Sequence, residues 1–110
     1  MRVIAGIYKS RLLKFPKTQV VRPTQDRIKE SCFEILKPYL AGRDVLELFA
    51  GSGALGIEAL SRGAKSVVFV ERDPVCIKTI EENLAALKIT DSVAVVKSDV
   101  FKAIRRFAEN

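Results

Sequence analysis

The segment most restrictive of fold is a glycine turn set between an apolar strand and a helix. Asp44-Val45-Leu46-Glu47-Leu48-Phe49-Ala50 is β-prone, Gly51-Ser52-Gly53 is a turn, and Ala54 to Arg62 reads as a helix that Gly63 ends. Gly51, Gly53 and Gly56 complete a G-x-G-x-x-G spacing, with Glu71 20 residues beyond Gly51 at the end of the next apolar run. Glycines there permit a tight turn and close backbone approach, the helix N-terminus offers free N–H groups, and a following acid can accept hydrogen bonds from ribose hydroxyls. The pattern points to a cofactor carrying adenosine; the plainer alternative is a structural turn.

The alternation continues along the chain. Ser66 to Val70 is a second strand, and Asp73 caps a helix with Pro74 at its first position and Cys76, Ile77, Ile80, Leu84 and Leu87 as its buried face. Val93 to Lys97 is a third strand, and Val100, Ile104 and Phe107 mark a last helix. Short strands alternating with helices predict a βαβ parallel sheet in residues 44–110. The strand-end acids Glu47, Glu71 and Asp99 are 24 and 28 residues apart, so three βα units are present. In an open sheet of order 3-2-1-4-5 the first strand is central, and here it has no fourth strand beside it. An apolar strand with a bare edge predicts that the chain is the front part of a larger domain.

Residues 1–43 differ in texture and charge. The runs 2–7 and 11–15, joined by Tyr8-Lys9-Ser10 and closed by Pro16, predict a β-hairpin. Val20, Val21 and Arg22 before Pro23 are expected to be extended, and Thr24 to cap a helix ended by Pro38 and Gly42. Ile28, Cys32, Ile35, Leu36 and Tyr39 form its apolar stripe, while Lys29 lies off it. Ten basic and three acidic residues give this part a formal charge of +7, against −1 for residues 44–110, although the whole chain carries +6. Such asymmetry is the footprint of a surface for a polyanion; a solvated basic face is the alternative. Arg2, Lys9, Arg11, Lys14, Arg22 and Arg27 are the candidate contacts to a polyanion, and Tyr8 at the hairpin tip is the candidate stacking ring among them. The six phenylalanines, including Phe49 and Phe101, are expected in the core.

Other chemistries are disfavoured. The chain has no His and two Cys, which removes the usual general base and the commonest zinc ligand and leaves too few thiols for a disulfide scaffold. No metal site is expected. Apolar runs fall far short of the roughly 20 residues that cross a bilayer, so no membrane partner and a cytoplasmic location are expected.

The acids narrow the cofactor. Glu47, four residues before Gly51, would crowd a dinucleotide pyrophosphate but suits the cationic amino-acid end of S-adenosylmethionine. Asp99 can accept a hydrogen bond from an adenine amino group. A nicotinamide-dependent oxidoreductase is therefore the second reading and a noncatalytic RNA-binding module the third.

The stretches Glu47-Leu-Phe-Ala-Gly51-Ser-Gly53-Ala-Leu-Gly56, Val70-Glu71-Arg-Asp73 and Ser98-Asp99 resemble the first three motifs of the class I S-adenosylmethionine-dependent methyltransferases. Arg2-Val-Ile-Ala-Gly6 and Arg22-Pro23-Thr24-Gln-Asp26-Arg27-Ile-Lys-Glu30 resemble more specifically the bacterial small-subunit (16S) rRNA (guanine-N2)-methyltransferase family. The resemblance implies an α/β Rossmann-like methyltransferase fold, a parallel sheet with flanking helices, incomplete in this chain and preceded by a basic hairpin and helix. It implies residues 1–43 as an RNA-binding segment and 44–110 as the first three βα units of an S-adenosylmethionine-binding domain. Glu47, Phe49, Gly51, Ser52, Gly53, Glu71, Arg72 and Asp99 are the implied cofactor positions, and ribosomal RNA or the small-subunit particle the implied partner. The family's Asp/Asn-Pro-Pro-Tyr/Phe motif is absent: the four prolines, Pro16, Pro23, Pro38 and Pro74, include no adjacent pair. No catalytic residue is therefore assigned within this chain, and residues 1–110 alone are expected to transfer no methyl group.

Overall fold

The computed structural model describes residues 1–16 and 24–108, and of residues 24–27 the helical backbone only. The elements after the N-terminal arm are α1 (Thr24–Leu40), β1 (Asp44–Leu48), α2 (Ala54–Ser61), β2 (Ser66–Glu71), α3 (Pro74–Ala86), β3 (Val93–Lys97) and α4 (Val100–Ala108). The three strands are parallel in the order β1-β2-β3, with Leu46 beside Val68 and Val68 beside Ala94. The βα alternation thus produces the expected sheet, and among the described residues β1 forms one edge.

Side-chain alternation divides the packing between two faces. Val67 and Phe69 of β2 point into the larger core, with Ile57 of α2, Ile80 and Leu84 of α3, Phe33 and Leu40 of α1, and Val3 and Leu13 of the arm. Val70 points the other way, onto Val100 and Ala103 of α4. The arm and α1 therefore share one hydrophobic core with the sheet, α2 and α3. Gly56 lets α2 approach the sheet: a Cβ there would lie 2.3 Å from the Phe69 ring and 2.8 Å from Val67. Asp73 caps α3 as predicted, accepting from the Val75 N–H at 2.9 Å, with Pro74 at the first position.

The arm differs from the predicted hairpin of two strands. It holds one antiparallel bridge, Arg2 with Leu12, supported by Val3 N–H to Arg11 C=O at 3.0 Å and Leu13 N–H to Met1 C=O at 2.8 Å. The Ser10 N–H also returns to the Val3 carbonyl at 2.8 Å, but other donors turn to helix side chains. The Ile4 and Ala5 N–H groups donate to the two oxygens of Glu58 at 2.9 and 3.1 Å, and the Tyr8 N–H donates to Ser61 Oγ at 2.9 Å. At Gly6, φ is +88° and a Cβ would stand 1.8 Å from the Ser61 carbonyl oxygen, so contact with α2 requires glycine there.

The buried face of α1 is also not the one the apolar stripe predicted. Ile28, Ile35, Leu36 and Tyr39 are exposed, as is Cys32, whereas Lys29, Phe33 and Leu40 are buried. The Lys29 ammonium lies 3.2 Å from Glu58 and donates to the Arg2 carbonyl at 2.9 Å, and the Arg62 guanidinium sits 5.0 Å over the Phe33 ring. These contacts set the helix rotation, and hydrophobic periodicity does not register a buried lysine. The helix also continues through Pro38, whose missing donor falls on an exposed turn, and the buried Leu40 anchors its end. Residues 17–23, with the expected extended run and Arg22, lie outside the described residues.

Replacing Gly56 with Ala is expected to lower stability by about 1–3 kcal/mol, because the added methyl overpacks against Phe69 and Val67. Urea unfolding checks this; an unchanged midpoint would show that α2 does not bear on the sheet at this distance.

Candidate cofactor site and nucleic-acid arm

The carboxyl ends of β1, β2 and β3 converge on two cavities that meet at Phe49. The backbone leaves β1 through a left-handed Phe49 (φ +55°) and Gly51 (φ +58°), and Gly53 (φ +79°) then occupies the N-cap of α2. The turn is tied to β2 at two points. The Ala50 N–H donates to the Val70 carbonyl at 3.0 Å, and the Gly51 N–H donates to Glu71 Oε1 at 2.9 Å. Glu71 Oε2 accepts from the Arg72 and Asp73 N–H groups, both at 2.9 Å. An ionised carboxylate has about four acceptor positions, so Glu71 retains capacity for a further donor.

The larger cavity, about 580 Å³, is lined by Phe49, Glu71, Arg72, Asp73, Pro74, Asp99, Val100 and Phe101. Asp99 caps α4, its Oδ1 accepting from the Phe101 and Lys102 N–H groups at 2.9 and 3.1 Å, so Oδ2 is the oxygen left for a ligand. Phe49 and Phe101, expected in the core, are 73% and 71% exposed. The left-handed backbone turns Phe49 out of the sheet, and α4 buries Val100 and Ala103 instead of Phe101. The second cavity, about 330 Å³, is lined by Glu47, Gly51 and Ser52, by Met1 and Phe15 of the arm, and by Lys29 of α1 among others. Of the predicted cofactor positions, Phe49, Glu71, Arg72 and Asp99 thus share one cavity; Glu47, Phe49, Gly51 and Ser52 share the other; Gly53 lies buried beneath the turn.

Glu47 is the most perturbed acid of the site. It is buried, accepts one hydrogen bond, from the Gly56 N–H at 2.9 Å, and has no cation paired with it among the described residues. Burial pushes its carboxyl up to about 8; the Gly56 N–H pulls it down, and the Glu71 charge adds to the rise. Glu47 is therefore largely protonated at neutral pH and is set to ionise when a positive charge arrives.

The arm lies against this site. Arg2, Lys9, Arg11 and Lys14 are exposed. Arg2 donates to the Ser10 carbonyl at 2.8 Å, Arg11 to the Ala86 carbonyl at 3.0 Å, and Lys14 pairs with Glu82 at 2.9 Å. Tyr8 is half-buried and packs against the core instead of standing free at the tip, where Ile7 is exposed. Arg22 and the Arg27 side chain lie outside the described residues. Sequence reasoning missed Asn83, which is buried on α3 and touches both Lys14 and Ser52. The available signal was a polar residue three positions after Ile80 and four before Leu87, within the apolar face.

The fold is that of the S-adenosylmethionine-dependent methyltransferases. A solved Agrobacterium tumefaciens methyltransferase of this class superposes with a TM-score of 0.67 at 23% identity, over 81% of this chain and 28% of that one. Within this fold the chain belongs to the family described as conserved hypothetical protein 95, whose model matches residues 1–110. It is 44% identical over 96 residues to ribosomal RNA small subunit methyltransferase D of Haemophilus influenzae, covering 87% of this chain and 50% of that protein. The protein of that name from Escherichia coli K12 is 42% identical over 88 residues, covering 80% of this chain and 44% of its own length. An Escherichia coli structure, yhhF, described provisionally as a methyltransferase, superposes with a TM-score of 0.83 at 39% identity, over 94% of this chain and 56% of that one. The chain spans about half the length of the curated relatives it matches.

A raised Glu47 has a defined effect on stability. Between about pH 4.5 and 8 the folded chain holds a proton that the unfolded chain has released, so stability falls as pH rises across this window. The slope from this group is at most about 1.4 kcal/mol per pH unit. Glu47→Gln should flatten it in pH-dependent denaturation, and a slope unchanged in the variant would show that Glu47 titrates normally.

Proposed function

We propose that this chain forms the S-adenosylmethionine-binding front part of an RNA methyltransferase acting on the exocyclic N2 of a guanine in small-subunit rRNA, in the cytoplasm. The observation that carries the reading is the buried Glu47, unpaired with a cation among the described residues and facing a cavity beside the glycine turn. A ligand with a cationic amino-acid end would meet it, whereas a pyrophosphate would bring negative charge to a buried acid; this favours S-adenosylmethionine over a nicotinamide dinucleotide. The relatives named as ribosomal RNA methyltransferases support the substrate class.

The residues present fit the cofactor in two parts. Glu71 and Asp99 offer acceptors for ribose and adenine in the larger cavity, with Phe49, Arg72 and Phe101 along its walls. Glu47, with the Gly51 and Ser52 backbone, serves the amino-acid end in the smaller one. When bound, the cofactor supplies a methyl group activated by a sulfonium. The chain's own contribution is to hold that group at a fixed place and to present a basic arm beside it. Arg2, Lys9, Arg11 and Lys14, with Arg22 and Arg27, are read as phosphate contacts, and Tyr8 as packing the arm. On this reading residues 1–110 bind cofactor and RNA, and no methyl transfer by them alone is expected.

Calorimetric titration with S-adenosylhomocysteine tests the site. Glu71→Ala should weaken binding at least about tenfold, since it removes a charged hydrogen-bond acceptor and the anchor of the Gly51 N–H. NAD should fail to compete. Equal binding of NAD would favour the oxidoreductase reading, and RNA affinity with a steep salt dependence but no S-adenosylhomocysteine binding would favour the noncatalytic module.

A further inference from the structure

Asn83 is the buried side chain that touches both the arm and the cofactor turn. It is 2% exposed on the core-facing side of α3, where Ile80, Leu84 and Leu87 are its neighbours. Its Oδ1 accepts from the Lys14 N–H at 2.8 Å. Its Nδ2 donates to the Lys14 carbonyl at 3.0 Å and to the Ser52 carbonyl at 3.0 Å. One donor on Lys14 and two carbonyls leave a single orientation of the amide, with the oxygen toward the Lys14 N–H. An aspartate could keep that bond but has no proton for either carbonyl; a leucine would leave three backbone groups without this partner.

We propose that Asn83 is a positioning residue that couples the RNA arm to the cofactor site, so that a ligand ordering the turn at Ser52 also orders the arm at Lys14, and the reverse. The proposal rests on the reading of the turn as the S-adenosylmethionine site. Other arm contacts lie away from the turn, Glu58 and Ser61 holding Ile4, Ala5 and Tyr8 from the far end of α2, and Met1 and Phe15 line the smaller cavity beside Ser52 with no hydrogen bond to it among the described residues. Through Asn83, by contrast, the two segments are bound by protons of one amide group. Fixing one proton's acceptor restricts the torsion that aims the other. Coupling between two binding sites is reciprocal, so RNA held by Lys14 and its neighbours tightens the cofactor by the factor by which cofactor tightens RNA.

Amide hydrogen exchange of the isotopically labelled chain, with and without S-adenosylhomocysteine, tests the proposal. In the wild type the ligand should shift the Gly51–Gly53 signals and slow exchange of the Lys14 amide and of the Asn83 side-chain amide at least about fivefold, the lower end of common couplings. Asn83→Asp, which keeps size and the acceptor for the Lys14 N–H, should still bind the ligand at the turn, more weakly, while Lys14 no longer responds. Shifts at the turn with Lys14 exchange unchanged in the wild type overturn the coupling alone, as does an Asn83→Asp variant whose Lys14 still responds in full. No shift at the turn overturns the cofactor reading and the coupling with it. The wild-type comparison decides the matter even if the variant does not fold.

Discussion

Glu58 lies where the arm, α1 and α2 meet, without solvent exposure, and the way the arm and α1 seat on α2 depends on how its charge is satisfied. Removing a carboxylate from water costs several kcal/mol unless partners replace the solvent. Here they do: the Ile4 and Ala5 N–H groups, the Arg62 guanidinium at 2.9 Å and the Lys29 ammonium at 3.2 Å surround it. Burial alone would raise its pKa; the Ile4 N–H, Arg62, the Ala5 N–H and Lys29 together hold it below the usual carboxylate value. The consequence reaches outward. Lys29 must face inward, so α1 turns its apolar stripe to the surface, and the arm gives the Ile4, Ala5 and Tyr8 N–H groups to α2 instead of extending its single bridge into a two-stranded hairpin.

Two buried acids therefore bracket α2 with opposite outcomes. Glu58, within the helix, is met by two cations and two N–H groups and stays ionised. Glu47, on β1, is met among the described residues by the Gly56 N–H alone and is pushed toward the neutral form. The first fastens the arm and the second waits for charge in a cavity beside the turn. Environment, not residue type, separates a structural carboxylate from one available to a ligand. Asn83 then places the arm and the turn under one side chain, so the basic segment adjoins the proposed cofactor cavity.

The parts of this architecture governed by local rules were legible in the sequence. The Asp73-Pro74 cap, the three strands and the glycine turn with Glu71 at its offset all appear where spacing placed them, because capping, alternation and turn chemistry act over a few residues. What depends on distant partners was not. The rotation of α1 follows from Lys29 meeting Glu58, the shortened hairpin from Glu58 and Ser61 capturing its donors, and the exposure of Phe49 from a left-handed backbone that apolarity alone does not suggest. Asn83 left a faint trace, a polar residue within an apolar face, whose meaning required knowing that Lys14 and Ser52 lie next to it.

The claim on which the functional account turns is that Glu47 receives the cationic end of the cofactor. Carbon-detected titration of the Glu47 side-chain carboxyl, in the free chain and with S-adenosylhomocysteine, measures it directly. The account predicts a midpoint of about 8 in the free chain and a fall of at least about one pH unit with the ligand bound, since a nearby positive charge favours the ionised form. A midpoint near the ordinary glutamate value in the free chain, or one that the bound ligand leaves unmoved, would contradict it.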